Sequence, residues 1–302
     1  MNYLDKVTEI FVSIDDFYKE FSPLIEKHSI SSSNEIKKRR NRKSKLSPSQ
    51  VMTILILFHL GGYRTLKHFY LNYVCKHMKQ EFPSLVSYNR FVELQQNTLL
   101  PLAVYLKLKA MGILCTGISF IDSTPLRSCH IKRKHQHRVF RGIAEKGQCS
   151  IGWFYGFKLH LIINDKGEIL DFMLTKGNMD DRSPLKHDYF HKKIFGKLFA
   201  DKGYISKDLF ERLFIDGVHL ITKIRKNMKN SLMHLQDKIM LKKRAIIETV
   251  NDELKNSCQI EHTRHRSFDN LFTNLLAGLI PYNFLPKKPS LNIEIIDRKA
   301  IA

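Results

Sequence analysis

The sequence has no apolar run able to cross a bilayer: the longest, Val51 to Leu60, is interrupted by Thr53 and His59, whereas a spanning helix needs ~20 apolar residues. Its first residues, Met-Asn-Tyr-Leu-Asp-Lys, lack the basic-then-apolar order of a secretory signal. A cytoplasmic protein with no membrane partner is therefore expected. Cysteine is sparse and scattered, at Cys75, Cys115, Cys129, Cys149 and Cys258. An odd number without a Cys-x-x-Cys pair argues against both a disulfide framework and a structural zinc site. His130, His135 and His137 lie near Cys129, but Lys132, Arg133, Lys134, Arg138 and Arg141 crowd them with charge that opposes a cation. Acid is also scarce, with 29 Asp and Glu against 50 Lys and Arg, a formal net charge of +21. Such an excess calls for a polyanionic partner, and nucleic acid is the leading one.

What is present is enough for a folded protein: 302 residues, 43% of them apolar, can build one large or two modest cores. Residues 1–28 carry a helical pattern and lead into the polar stretch Ser29–Ser33. Lys37-Lys-Arg-Arg-Asn-Arg-Lys-Ser-Lys45 then places seven cations in nine positions. Lys37, Lys38, Arg39, Arg40, Arg42 and Lys43 are candidate phosphate contacts, and the alternative is a solvated linker. Ser47-Pro48 reads as the N-cap and first position of an apolar helix ending near Leu60. Gly61-Gly62 breaks it before a second helix from about Thr65 to Lys79, a helix-turn-helix-like order. Further helices are expected over 88–96 and 101–111.

From Gly117 the pattern changes to strands. Phe157, Leu159, Leu161 and Ile163 alternate with Lys158 and His160, and Asn164-Asp-Lys-Gly167 turns the chain into 168–175, a hairpin. A helix over 183–195, a strand at 198–201, a helix over 207–216, a strand at 218–223 and a helix over 238–256 follow.

Two apolar runs of strand length end in aspartate. They are Ile118-Ser-Phe-Ile-Asp122, followed by turn residues, and Lys197-Leu-Phe-Ala-Asp201. A carboxylate at the carboxyl end of a buried strand lies at the rim where α/β folds place chemistry. A third carboxylate sits in Arg244-Ala-Ile-Ile-Glu248-Thr-Val-Asn-Asp-Glu-Leu-Lys255. At helical spacing Arg244, Glu248, Asn251 and Lys255 share one face, opposite Ile246, Ile247, Val250 and Leu254. Taken singly, Asp122 and Asp201 read equally well as turn or N-cap residues, and Arg244 with Glu248 as an ordinary surface pair. Together they form an oxygen-ligand set on rigid elements suited to hard divalent cations.

These segments resemble the Asp-Asp-Glu transposases of bacterial insertion sequences. The Arg244, Glu248, Lys255 spacing is similar to the signature around the catalytic glutamate in one large group of them. Gly152-Trp-Phe-Tyr-Gly-Phe-Lys-Leu-His160, Gly177-Asn-Met-Asp-Asp181 and Ile260-Glu-His-Thr-Arg-His-Arg266 match as well. One position departs: where the broader signature has tyrosine, this chain has Leu241.

The resemblance implies an α/β fold, a ribonuclease H-like mixed sheet flanked by helices and preceded by a mostly helical N-terminal domain. Its expected division is 1–115 for DNA-end binding, 116–282 for catalysis and 283–302 as a tail. It further implies that Asp122, Asp201 and Glu248 hold two Mg²⁺ or Mn²⁺ ions, roughly 4 Å apart, with Asp122 shared. Arg244 and Lys255 would position phosphate, and Asp180 and Asp181 read as an N-cap loop outside the ligand set. The implied reaction is hydrolysis at transposon ends followed by 3′-hydroxyl attack on target DNA. Its partners are double-stranded DNA, as terminal repeats and target, and a second copy of the chain in a homodimer or larger assembly. Competing readings are a nuclease of the same fold without strand transfer, a non-catalytic transposase-derived DNA-binding protein, and a small-molecule metal hydrolase that leaves the charge unexplained.

Overall fold

The protein is described from a computed structural model covering residues 3–30, 44–224, 233–261, 265–285, 287–291 and 293. The candidate phosphate contacts Lys37, Lys38, Arg39, Arg40, Arg42 and Lys43 lie outside the described residues. The chain forms two compact units, residues 1–108 with 254–284 and residues 109–253 with 285–302.

The first unit is helical. Helix α1 (Tyr3–Ile30) packs on α2 (Pro48–Leu60). Ser47 starts α2 with a reciprocal cap: its Oγ accepts the Gln50 N–H at 3.1 Å while Gln50 Oε1 accepts the Ser47 N–H at 3.0 Å. Almost every residue of α2 is buried, as its unbroken apolar sequence requires of a core helix. Gly62, at a φ of +66°, makes the expected break. Residues 66–77 then run as α3 (Leu66–His68), a π-helical stretch (Phe69–Val74) and α4 (Cys75–His77). Ser87 caps α5 (Tyr88–Gln96), and α6 (Leu99–Met111) follows.

The second unit is built on a mixed sheet. Its strands are β1 (Ile118–Cys129), β2 (Glu145–Cys149), β3 (Gly152–Asn164), β4 (Ile169–Lys176), β5 (Gly196–Ala200) and β6 (Val218–Thr222). β3 pairs antiparallel with β1 along one edge, and with β2 and then β4 along the other. β5 joins β1 in parallel and β6 joins β5 in parallel. The order β4-β3-β1-β5-β6, with β2 also paired to β3, sets three antiparallel strands beside two parallel ones, a mixed sheet as expected from the sequence. Between β3 and β4, Asn164 Oδ1 accepts the N–H groups of Lys166 and Glu168, which closes the expected hairpin turn. Helices α7 (Asp188–His191), α8 (Lys207–Ile215), α9 (Leu235–Lys243) and α10 (Ala245–Asn256) accompany the sheet, and α11 (Phe268–Asn283) completes the helices. Among the described residues no helix is long and apolar enough to cross a membrane.

Four expectations change. Strand β1 does not end at Asp122 but continues seven residues further, through Pro125. Beyond Phe120 it has lost its β5 neighbour and runs as an edge strand, where a sheet tolerates proline. The single helix over 238–256 is two, α9 and α10, broken at Arg244. The helix over 183–195 is only a 3₁₀ turn (Pro184–Lys186) and the four-residue α7. Its buried Leu185 and Phe190 are five residues apart, which does not repeat on one helical face. Finally, α11 falls within 116–282 by sequence, yet groups with the N-terminal helices, because it packs on α2 and α5.

Candidate active site

The register of two neighbouring strands positions the two aspartates. β1 and β5 make their last pair at Phe120 and Phe199, whose rings stack with centroids 5.6 Å apart. Asp122 stands two residues beyond that pair within β1, and Asp201 stands two residues beyond it, immediately after the end of β5. Asp201 also caps the 3₁₀ turn Lys202–Tyr204, with Oδ1 accepting the Gly203 N–H at 2.8 Å. Glu248 comes from the first turn of α10, where the positive end of the helix dipole favours a carboxylate.

Arg244, at the break before α10, ties the acids together. Its Nη2 donates to Glu248 Oε1 at 2.6 Å, and its Nη1 stands 3.8 Å from Asp122 Oδ1. That Nη1 is buried and has no hydrogen-bond partner, so half of the guanidinium fork is uncommitted. Burial pushes the Asp122 carboxyl up to about 7, and the nearby Asp201 and Glu248 charges add to the rise. Arg244 and the Ser123 N–H oppose it without overcoming it. The buried Asp122 carboxyl, with two further acids beside it, is thus short of positive charge.

A second set of side chains lies next to Asp122 along the strands, with Ser123, Lys158 and His160 on the opposite face of the sheet. Asp181 accepts from Ser123 Oγ at 2.7 Å and from Lys158 Nζ at 3.0 Å, and Lys158 also donates to the Met179 carbonyl at 2.9 Å. His160 is fully buried and bonded through Nε2 to Thr175 Oγ1 at 2.8 Å; burial lowers it to about 4, so it is neutral. Tyr204 is buried and its hydroxyl has no hydrogen-bond partner. Desolvation and then the charges of Asp122, Asp181 and Asp201 hold that phenol well above its ordinary range. Asp180 turns away: Arg182 holds it through side-chain and backbone N–H groups and lowers it to about 2.

The structure thus gathers Asp122, Asp201, Glu248 and Arg244. It pairs Lys255, two turns further along α10, with Glu261 at 3.7 Å. Asn251, expected on the polar face, is buried. Sequence reasoning left Asp181 in a loop and gave no part to Ser123, Lys158, His160 or Tyr204. The available signal was period two, which sets Lys158 and His160 on one face of β3.

A cation suits this donor set, because all three acids offer oxygen and the central carboxyl is deficient in counter-charge. The carboxylates are not drawn into a closed ligand shell. Among the described residues, three such ligand atoms all within 4.8 Å of one another occur instead at Asp188, His191 and Asp216. There Arg212 holds Asp188 at 2.5 Å and His191 Nε2 is hydrogen-bonded to Asp216 Oδ2 at 2.9 Å, so these ligand atoms already have protein partners.

A family described as "Transposase DDE domain" matches residues 113–268, just over half of the chain. No curated protein matches the sequence. Among solved structures, the cryo-EM structure of a piggyBac transposase synaptic complex with hairpin DNA is similar at 11% identity and a TM-score of 0.47, over 91% of this chain and 71% of that one.

Proposed function

The chain belongs to the family of transposases with a DDE domain, and from that premise we propose that it cuts DNA at the ends of a bacterial insertion sequence and joins the freed 3′-hydroxyl to target DNA. The observation that carries the reading is the placement of Asp122 and Asp201, each two residues beyond the last pair of two parallel strands, with Glu248 brought to them by Arg244.

In this reading Asp122, Asp201 and Glu248 would hold two Mg²⁺ or Mn²⁺ ions. When bound, such ions stabilise the attacking and leaving oxygens of an in-line displacement at phosphorus and lower the pKa of an attacking water or hydroxyl. The chain's own groups do the rest. In the metal-free state Arg244 acts as counter-ion to two of the acids. Once their charge is neutralised, its open Nη1 can turn to a phosphate oxygen, which a planar fork grips in a fixed orientation. Lys158 holds Asp181 against Ser123, and so fixes the backbone next to Asp122. Tyr204 offers a buried hydroxyl donor, in a setting dry enough for one hydrogen bond to matter. Hydrolysis and strand transfer are both displacements at phosphate, so one site serves both in turn. Lys255 is a further phosphate contact in this reading, with the Lys37–Lys43 run binding DNA ends and a second copy of the chain holding the other end. A cytoplasmic, nucleoid-associated location follows from that partner.

The test is to incubate the purified chain and Mg²⁺ with labelled DNA carrying the element's own ends. Joined products support transposition. Nicks without joining would identify a nuclease, and binding without nicks a transposase-derived DNA-binding protein.

A further inference from the structure

Beyond Asp122, β1 continues with β2 and the first half of β3 as a ribbon that projects from the carboxylate end of the sheet. Residues 127–153 carry seven Lys and Arg against the single acid Glu145. Arg127, Lys132, Arg133, Arg138, Arg141 and Lys146 are all exposed. At the far end stand two apolar side chains that a solvated ribbon does not need, Ile151 at 83% exposure and Trp153 at 54%. Lys146 Nζ lies 3.9 Å from the Trp153 ring centre, a cation over an aromatic face.

The register gives this ribbon a direction. Asp122 lies opposite Leu161, and side chains two apart share a face, so Leu161, Leu159, Phe157, Tyr155 and Trp153 continue the face of Asp122. Residues 131–144 are anchored over that same face. Phe140 packs edge-on to Phe157, His137 stacks on Phe140, and the Tyr155 hydroxyl donates to the Phe140 carbonyl at 3.2 Å. The exposed Lys132, Arg133, Arg138 and Arg141 are therefore carried on the side of the acids. Trp153 stands eight residues along β3 from Leu161, at most ~26 Å at ~3.3 Å per residue. That span equals about eight base pairs of B-DNA at ~3.4 Å each.

We propose that this ribbon is a DNA-tracking surface that holds duplex up to about eight base pairs from the scissile phosphate, with the basic residues of 131–144 on phosphates and Trp153 against a base at the far end. The inference rests on the reading that the three acids are where DNA is cut. Charge favours DNA over an acidic lipid surface: seven cations stand against one acid, whereas the exposed apolar side chains, Val139, Ile143, Ile151 and Trp153, are scattered among them, with Val139 and Ile143 only 38% exposed.

Trp153 is the sole tryptophan of the chain, so intrinsic fluorescence of the full-length protein reports this one contact. A duplex bearing the element's end, added in EDTA so that nothing is cut, should quench the emission through base contact. Binding is followed independently by anisotropy of labelled DNA. The combined changes Lys132→Gln, Arg133→Gln, Arg138→Gln and Arg141→Gln should flatten the slope of log affinity against log salt by ~2–4. Unchanged emission of the unbound variant shows that the ribbon is still folded. Emission that ignores bound DNA, together with an unaltered slope, overturns the proposal, as does a blue shift with anionic phospholipid vesicles in place of a response to DNA. Asp122→Asn separates this inference from the one beneath it. That variant should lose cutting while keeping the quench, so a quench failure indicts the ribbon and retained cutting indicts the acids.

Discussion

Replacing Asp122 with asparagine should make the metal-free protein more stable at pH 8 and leave it nearly unchanged at pH 4. The Asp122 carboxyl is held at about 7 against an ordinary 3.8, chiefly by burial. Below pH 4 it is protonated in both folded and unfolded chains and contributes no difference. As pH rises from about 4 to 7, the unfolded chain releases this proton while the folded chain keeps it, so folding stability falls by about 1.4 kcal/mol per unit. Three units give about 4 kcal/mol, reached near pH 7 and constant above it. The side chain is 22% exposed, and solvent screening there brings the expected figure to about 2–4 kcal/mol. Asparagine keeps the shape and has no proton to lose. Urea denaturation of parent and Asp122→Asn in EDTA, at pH 4, 6 and 8, measures the difference directly. Millimolar Mg²⁺ at pH 8 should then restore the parent and not the variant, since a ligand stabilises only the state that binds it. Equal stabilities at pH 8, or a less stable variant, would refute the argument that Asp122 is short of counter-charge.

Arg244→Ala should lower strand cleavage about 10- to 1000-fold, since it positions phosphate, and Lys255→Ala should cost less than Arg244→Ala; single-turnover rates at saturating DNA decide both. Tyr204→Phe keeps the buried ring and removes a hydroxyl with no protein partner, so its denaturation midpoint should hold or rise while cleavage falls; a lower midpoint with normal cleavage would make Tyr204 purely structural. Leu241→Ala opens a buried site in α9 and should cost about 2–5 kcal/mol of stability with cutting and joining reduced in step, and joining lost alone would give Leu241 the part of the absent tyrosine. Changing Lys37, Lys38, Arg39 and Arg40 to Gln should flatten the salt slope by ~2–4 for related and unrelated DNA alike, and an unaltered slope would make the run a solvated linker.

Local signals were read well where one rule acted alone. Ser47-Pro48 fixed the start of α2 because a cap is decided within four residues, and Asn164 to Gly167 fixed the β3–β4 turn for the same reason. The two strand-end aspartates and the Arg244 to Lys255 spacing pointed to side chains that the structure gathers, apart from Lys255. What stayed hidden depended on neighbours distant in sequence. Pro125 suggests a turn, and only the loss of β5 as a neighbour beyond Phe120 lets β1 run through it. Arg244 has good helix propensity, yet α9 and α10 are separated at that one residue, whose side chain meets Asp122 and Glu248. Helix α11 follows the catalytic segment in sequence but buries its apolar face on α2 and α5. Asp180 and Asp181 are adjacent and identical in type. One is held by Arg182 and the other by Ser123 and Lys158, a distinction that no local pattern contains.

The central claim is that Asp122, Asp201 and Glu248 form one cation-dependent centre for cutting and joining DNA. The most direct measurement compares the parent with Asp122→Asn, Asp201→Asn and Glu248→Gln on labelled end-bearing DNA in Mg²⁺, scoring cleavage, joining and end binding in the same samples. The account predicts that each change abolishes cleavage and joining while end binding stays close to that of the parent. A variant that still cuts and joins at a rate near the parent's would remove its residue from the centre and contradict the account.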